Sequence, residues 1–222
     1  MTTAIVLAAG KSERMGSGVD KAFLSLLDKP VVAWSLLAFE RCRDIDSIVL
    51  VVRKDKLEAS KMAAKVYGIS KMRQIVTGGS RRQDSVKAGL AACDIATKVV
   101  VIHDGARPCV TPEIISQAVD AARKGECVTV GRKMTDTVKA VGKNGLVAKT
   151  ESRDGLWTVQ TPQAFPAAVL RDAYSKIGKK EVTDDCQAVE MASVPVRIVE
   201  SRRPNVKITT VEDLQTASLL LK

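Results

Sequence analysis

Residues 7–21 read LAAGKSERMGSGVDK, and a short apolar run, Ala4-Ile5-Val6-Leu7, leads into them. The run predicts a buried strand that opens into small residues, Ala8-Ala9-Gly10, and then into two cations, Arg14 and Lys21. Small residues let the backbone approach a ligand closely, and consecutive amides in such a turn form an anion-binding concavity. The planar fork of Arg14 suits phosphate oxygens, and Lys21 adds a mobile point charge. Strand, small-residue turn and two cations read together as a grip for a polyphosphate. The stretch carries neither GxxxxGK[ST] nor a GxGxxG opening a helix, so it matches neither standard nucleotide signature. A surface loop with scattered solvated charges is the alternative reading of this segment alone.

The same strand-then-helix rhythm continues along the chain. Apolar, β-branched runs predict strands over 3–7, 47–52, 73–76, 98–102, 126–130, 157–160 and 194–199. Helical spacing falls between them over 31–41, 55–67, 82–92, 112–123, 166–176 and 211–221. Alternation with fully apolar strands predicts an α/β fold, a mostly parallel sheet with helices on both faces. Thr111-Pro112 reads as a cap and first helical residue with Glu113 in the first turn, and Gly68 and Gly125 sit where helices should stop. Residues 131–154 break the rhythm: Asn144-Gly145 between alternating apolar and polar residues predicts a β-hairpin. A lone hairpin cannot bury its apolar side, so it is expected to pack on a second copy of the chain, the alternative being its own domain. No repeat or flexible linker interrupts residues 1–222, which read as a single domain with this arm.

Composition narrows the function classes. The 222 residues are 45% hydrophobic and 27% charged, ordinary for a soluble globular protein. No apolar run approaches the ~18 residues that span a bilayer, so no membrane partner is expected. The N-terminus lacks a basic region ahead of its apolar stretch and reads as a first strand rather than a signal peptide. Five scattered cysteines without a CxxC pair argue against a disulfide framework or a zinc site, and point to the cytoplasm. A net charge of +10 raises nucleic acid as a partner, but aromatics are only 3% and the basic residues are dispersed. Small phosphorylated substrates account for the charge, so no nucleic acid is expected.

Two further motifs follow strands, so they should converge with the first turn beyond the carboxyl ends of the sheet. HDGARP, residues 103–108, puts Asp104 just past a buried strand, well placed for a hard cation such as Mg²⁺, with Arg107 beside it. A turn-initiating role is the alternative for Asp104. His103, the single histidine, lacks both a metal partner and a nearby nucleophile and reads as structural. TGGSRRQDSVKAGL, residues 77–90, gives a second glycine turn at a helix start, where Gly78-Gly79 permit close approach and Ser80 or Ser85 can hydrogen-bond a ligand. TVQTPQ (158–163), Thr183-Asp184-Asp185 and RRPNVK (202–207) look unlike core, although capping or surface roles fit each of them.

LAAGKSERMG with Lys21, GGSRRQDSVKAGL, HDGARPC, DTVK, RDGLWTVQTPQAF, TDDCQAVE and NVKITTVEDL occur in this order across almost the whole chain. The ordered set resembles the 2-C-methyl-D-erythritol 4-phosphate cytidylyltransferases of the non-mevalonate isoprenoid pathway. The opening motif alone is shared with other nucleotidyltransferases. The resemblance implies a Rossmann-like nucleotidyltransferase fold, a dimerisation arm and a homodimer. It also implies CTP and a sugar-alcohol phosphate as substrates, with Mg²⁺ or another divalent cation as cofactor.

Carried over by position, the resemblance puts Ala8, Ala9 and Gly10 against CTP, with Arg14 and Lys21 on its phosphates. Gly79, Ser80 and Ser85 help select cytosine and ribose. Asp104 resembles the Mg²⁺-binding aspartate, with Gly105 and Arg107 lining the same site. Thr137 and Arg153 on the arm, Thr161, Thr183 and Lys207 resemble the positions that hold methylerythritol phosphate, and Lys207 joins Arg14 and Lys21 as catalytic cations. Two positions depart from the family pattern. Ser12 replaces a usual glycine, and Val19-Asp20-Lys21-Ala22-Phe23 replaces a common Pro-Lys-Gln-aromatic sequence. A cytidylyltransferase acting on ribitol 5-phosphate is the alternative within the same class, and a basic nucleic-acid-binding module the alternative outside it.

Overall fold

Every residue of Ser47-Ile48-Val49-Leu50-Val51-Val52 is buried, because successive strand side chains point to opposite faces and both faces are covered. The structure, a computed structural model, describes residues 1–10 and 20–222. The elements run in chain order β1 (Thr2–Ala8), a short 3-10 turn (Lys21–Phe23), β2 (Ser25–Leu26), β3 (Lys29–Pro30), α1 (Val31–Arg41), β4 (Ser47–Val52), α2 (Leu57–Val66) and β5 (Met72–Thr77). There follow α3 (Arg82–Ala91), β6 (Val99–Asp104), α4 (Pro112–Arg123), β7 (Cys127–Lys133), β8 (Val138–Val141) and β9 (Val147–Glu151). The chain ends with β10 (Trp157–Pro166), α5 (Ala167–Lys176), α6 (Asp185–Met191), β11 (Val196–Glu200) and α7 (Val211–Leu220).

The main sheet has the order β11-β7-β10-β6-β1-β4-β5. Its pairings are parallel except that β10 runs antiparallel to both neighbours, β6 and β7. The chain steps outward from β1 to β4 and β5, then returns to the other side of β1 with β6. That reversal makes a switch point at β1, where open α/β sheets hold their ligands.

Two apolar layers sandwich the sheet. Ala4, Val6, Leu50 and Val101 meet α1, α2 and α4 through Phe39, Leu57 and Ile115. Ile5, Val49, Val51 and Ile102 meet α3, α5 and α6 through Val86, Leu170 and Val189. Each large aliphatic or aromatic side chain buried in this way contributes about 1.5–3 kcal/mol. A third cluster seats α7 by Ala217 against Leu26, Val31 and Ile208.

Three expectations change at their edges. The strand predicted to end at Gln160 continues to Pro166, because the register shifts between Gln160 and Gln163 and so accommodates Pro162 within the ladder. Pro112 does open α4, but the Thr111 hydroxyl makes no cap bond to that helix. Residues 131–133 belong to β7, so the arm proper begins beyond Lys133.

β8 and β9 form the predicted hairpin as a separate two-stranded sheet. Gly145 turns it at φ +77°, a conformation that favours glycine, and Leu146 N–H donates to Asn144 Oδ1. Its root is the ladder pair Lys133–Trp157, with Lys133 Nζ 5.7 Å from the Trp157 ring centroid. The arm side chains Val141, Leu146 and Val147 stay 57, 67 and 58% exposed, so their own chain does not cover them.

Candidate active site

The carboxyl ends of β1, β4, β5 and β6 surround a cleft of about 590 Å³. The end of β1 supplies Leu7 and Ala8, and the residues after it Ala9 and Gly10; the loop after β4 supplies Arg53 and Lys54; the end of β5, its turn and the start of α3 supply Thr77 to Arg82; β6 supplies Asp104. Lys21 and Lys207 close it from the 3-10 turn and the loop before α7. Among the described lining residues there are six cations, Lys21, Arg53, Lys54, Arg81, Arg82 and Lys207, and a single carboxylate, Asp104. That imbalance suits a polyphosphate. A larger cavity of about 770 Å³ at the opposite edge of the sheet has Arg73 against Asp46 and Asp94, which does not.

Backbone contact shapes the floor of the cleft. A Cβ on Gly78 would lie 2.5 Å from Ala9 Cβ and 2.6 Å from Ser85 Oγ, so only glycine lets the two turns touch. Ser85 Oγ accepts the Gly79 N–H at 3.2 Å and donates to Arg81 O at 3.3 Å, fixing this turn.

Asp104 is 8% exposed, with three cations around it. Lys207 Nζ is 2.7 Å from Oδ2, Arg82 Nε 3.4 Å from Oδ1, and Arg107 Nε 3.8 Å from Oδ2. Burial alone would raise its carboxyl, but Arg82, Lys207 and Arg107 outweigh that cost and hold it far below the usual carboxylate range. Asp104 N–H donates to Thr161 Oγ1 at 3.0 Å, and Thr161 Oγ1 pairs with His103 Nδ1 at 3.0 Å. His103 Nε2 faces Arg107 O at 3.2 Å. Burial pushes this imidazole down to about 4, so it is neutral near pH 7 and holds backbone in place.

Lys207 lies between two anchors. Ile208 is fully buried and donates its N–H to Ala106 O at 2.8 Å. Asn205 Nδ2 donates to Thr161 O at 2.7 Å, and Asn205 O accepts Arg107 Nη1 at 2.8 Å. Asp20, where the family pattern departs, accepts the Ala22 N–H at 3.2 Å and faces Arg53 Nη2 at 3.5 Å. It therefore caps the turn that carries Lys21; burial raises its carboxyl against the pull of Arg53.

Ala8, Ala9, Gly10, Lys21, Gly79, Ser80, Ser85, Asp104 and Lys207 thus line one cleft. Gly105, Arg107 and Thr161 lie behind Asp104; Gly105 N–H donates to Leu7 O at 2.8 Å. Thr183 is exposed before α6, its N–H and hydroxyl donating to Gln187 Oε1 at 2.6 and 3.1 Å. Thr137 and Arg153 are exposed on the arm, where Arg153 Nη1 donates to Thr135 O. Arg14 and Ser12 lie outside the described residues.

Sequence reading gives Arg53, Lys54 and Arg82 no site role, and reads Asp185 with Thr183 and Asp184 as unlike core or as a cap, whereas Asp185 is buried. For Arg82 a signal existed: residues 82, 85, 86 and 89 fall on one helical face, the face that α3 buries. Asp185 is fully buried, with Arg82 Nη2 at 2.7 Å and the Tyr174 hydroxyl donating at 2.6 Å. Asp184 caps α6 by accepting the Gln187 N–H at 2.8 Å.

The family model for 2-C-methyl-D-erythritol 4-phosphate cytidylyltransferase matches residues 2–222. The chain belongs to this family. It is similar to the enzyme of that name from Dehalococcoides mccartyi, 44% identical over 220 residues, covering 99% of this chain and 95% of the relative. Among solved structures it is similar to 4-diphosphocytidyl-2C-methyl-D-erythritol synthase from Anaerococcus prevotii, with TM-score 0.86 and 32% identity over 100% of this chain and 98% of that one. The family enzyme of Francisella tularensis gives TM-score 0.81 and 28% identity, covering 99% of both chains. The switch-point sheet is therefore the Rossmann-like nucleotidyltransferase fold of the family.

Among the described residues no group of three or more His, Cys, Asp or Glu side chains is arranged to hold a metal ion. Asp104 alone, ionised and with its nearest Oδ1 donor at 3.4 Å, retains acceptor capacity toward the cleft. This donor set fits Mg²⁺ bound jointly with substrate phosphates, which needs one or two carboxylates, and not a metal caged by protein. Among the described residues no helix is long and apolar enough to cross a membrane.

Proposed function

We propose that this chain transfers a cytidylyl group from CTP to 2-C-methyl-D-erythritol 4-phosphate, releasing pyrophosphate and 4-diphosphocytidyl-2-C-methyl-D-erythritol. The observation that carries this reading is the cleft at the switch point, lined by glycine turns, six cations and one ionised carboxylate. Family membership supplies the substrates.

The reaction needs no covalent participation by protein. A phosphate oxygen of the sugar-alcohol phosphate attacks the α-phosphorus of CTP, a P–O bond forms, and the bond to the β-phosphate oxygen breaks as pyrophosphate leaves. Positioning and charge stabilisation do the rest. Ala8, Ala9 and Gly10 let CTP lie against the end of β1, and Gly79, Ser80 and Ser85 face its nucleoside. Lys21 and Lys207, with Arg14, offset the charge gathered at the α-phosphorus. Asp104 is the residue that would hold Mg²⁺, which neutralises the triphosphate when bound. The attacking phosphate is already ionised, so no general base is required, in keeping with the burial of His103.

Thr137, Arg153, Thr161, Thr183 and Lys207 form the acceptor side of this proposal, with Gly105, Arg107 and Thr161 supporting Asp104 from behind. Residues 1–222 act as one domain, and the arm pairs with a second copy, which covers Val141, Leu146 and Val147 and brings Thr137 and Arg153 to the partner's cleft. Five scattered thiols fit a cytoplasmic home.

A pyrophosphate-release assay tests the reading by crossing four nucleoside triphosphates with methylerythritol phosphate and ribitol 5-phosphate. CTP with methylerythritol phosphate and Mg²⁺ should be fastest. A higher kcat/KM with ribitol 5-phosphate would transfer the assignment to that substrate.

A further inference from the structure

Arg82 is gripped from two sides. Its Nη2 donates to Asp185 Oδ2 at 2.7 Å, while its Nε points to Asp104 Oδ1 at 3.4 Å. Asp185 cannot follow the guanidinium. It is fully buried, its other oxygen accepts the Tyr174 hydroxyl at 2.6 Å, and its N–H donates to Gln163 Oε1 at 3.1 Å. Gln163 is fixed in turn, its Nε2 donating to Thr129 Oγ1 at 3.0 Å and Asp184 Oδ2 at 2.8 Å. Strand β10 and helices α5 and α6 therefore place one carboxylate oxygen against Arg82. A guanidinium is a rigid plane, so fixing one edge aims the others.

We propose that Asp185 is a positioning residue, which holds one edge of the Arg82 guanidinium so that its remaining N–H groups face the triphosphate beside Asp104. The inference rests on the reading of this cleft as the CTP site. Asp185 also restrains Arg82 from closing the 3.4 Å gap to Asp104, a carboxylate that Lys207 already meets at 2.7 Å. Loss of Asp185 would let Arg82 close further on Asp104, which it already meets at 3.4 Å, and would withdraw both groups from the ligand. Asp185→Asn keeps the shape and removes the charge that attracts Arg82. Breaking a buried pair also weakens the fold, so the experiment has to separate placement from stability.

Calorimetric titration of CTP with Mg²⁺ into the full chain makes that separation, with the wild type, Asp185→Asn, Arg82→Lys and the double variant measured below their melting temperatures. Asp185→Asn should weaken CTP binding about tenfold, the scale of one charge-assisted hydrogen bond. In the Arg82→Lys background the same change should cost less than about twofold, because Asp185 acts through Arg82. Equal losses in both backgrounds, or wild-type affinity in Asp185→Asn, would overturn the inference. Should Asp185→Asn fail to fold, Tyr174→Phe loosens Asp185 by a single hydrogen bond. A loss of about threefold that disappears in Arg82→Lys supports the proposal, and an equal loss in both backgrounds overturns it. Failure of the wild-type chain to bind CTP would overturn the cleft reading itself.

Discussion

Lys207 Nζ sits 2.7 Å from Asp104 Oδ2, joining the loop before α7 to the end of β6 at the middle of the sheet. Its side chain is 37% exposed, so its removal should cost the fold little. Lys207→Ala should lower kcat/KM about 10²–10³-fold and move the melting temperature little. Steady-state kinetics with a thermal scan checks both; a large drop in melting temperature would make Lys207 a structural residue.

Lys21→Ala should lower kcat by roughly two to three orders of magnitude with the fold intact. Lys29→Ala is the control, because Lys29 lies over the Trp34 ring at 4.6 Å, outside the cleft lining. Similar small losses at both positions would remove Lys21 from the catalytic group.

Gly78→Ala forces a Cβ to within 2.5 Å of Ala9 Cβ. Overpacking of this kind costs about 1–3 kcal/mol, so the melting temperature should fall and CTP binding should weaken with it. Chemical denaturation and calorimetry read the two effects. Unchanged stability would show that the turns separate freely.

His103 gives the chain a pH-sensitive core. Its imidazole is held down at about 4 by burial, against an unfolded value near ~6.5, so the fold favours the neutral form. The stability this contributes is complete above the unfolded value and is lost as pH falls toward 4. His103→Gln should flatten that slope in melting temperature between roughly pH 6.5 and 4. The single imidazole is also directly visible by NMR, and a titration midpoint near 6.5 would contradict the burial argument.

Arg153→Ala and Lys21→Ala homodimers should both be nearly inactive if the arm serves the partner's cleft. Mixing the two under subunit exchange should recover about a quarter of wild-type activity, since half the dimers are mixed and each has one intact site. No recovery despite demonstrated exchange would place Arg153 in its own chain's chemistry.

Strands buried on both faces announce themselves, which is why Ser47–Val52 and the run 98–102 are legible in the sequence, although β6 itself continues through His103 to Asp104. The hairpin was equally plain, because Asn144-Gly145 fixes a turn through local backbone preferences. In the sequence β10 looks shorter than it is because Pro162 reads as an end, and only the neighbouring strands reveal a register shift that absorbs it. The doublet Arg81-Arg82 shows a different limit. Its charges look alike in sequence, yet Arg81 pairs with Asp84 on the helix surface while Arg82 reaches Asp185, far along the chain. Pairings between distant segments are decided by how helices stack on the sheet, and local pattern carries no trace of them.

The pairing of Lys133 with Trp157 has a practical consequence for engineering. Everything between these residues forms a closed excursion whose ends are already neighbours, so a splice there leaves strand order and register untouched. A short type I′ turn can bridge such an antiparallel pair. The chain therefore contains a natural graft point, at which the arm can be excised or exchanged while the cleft keeps its own walls.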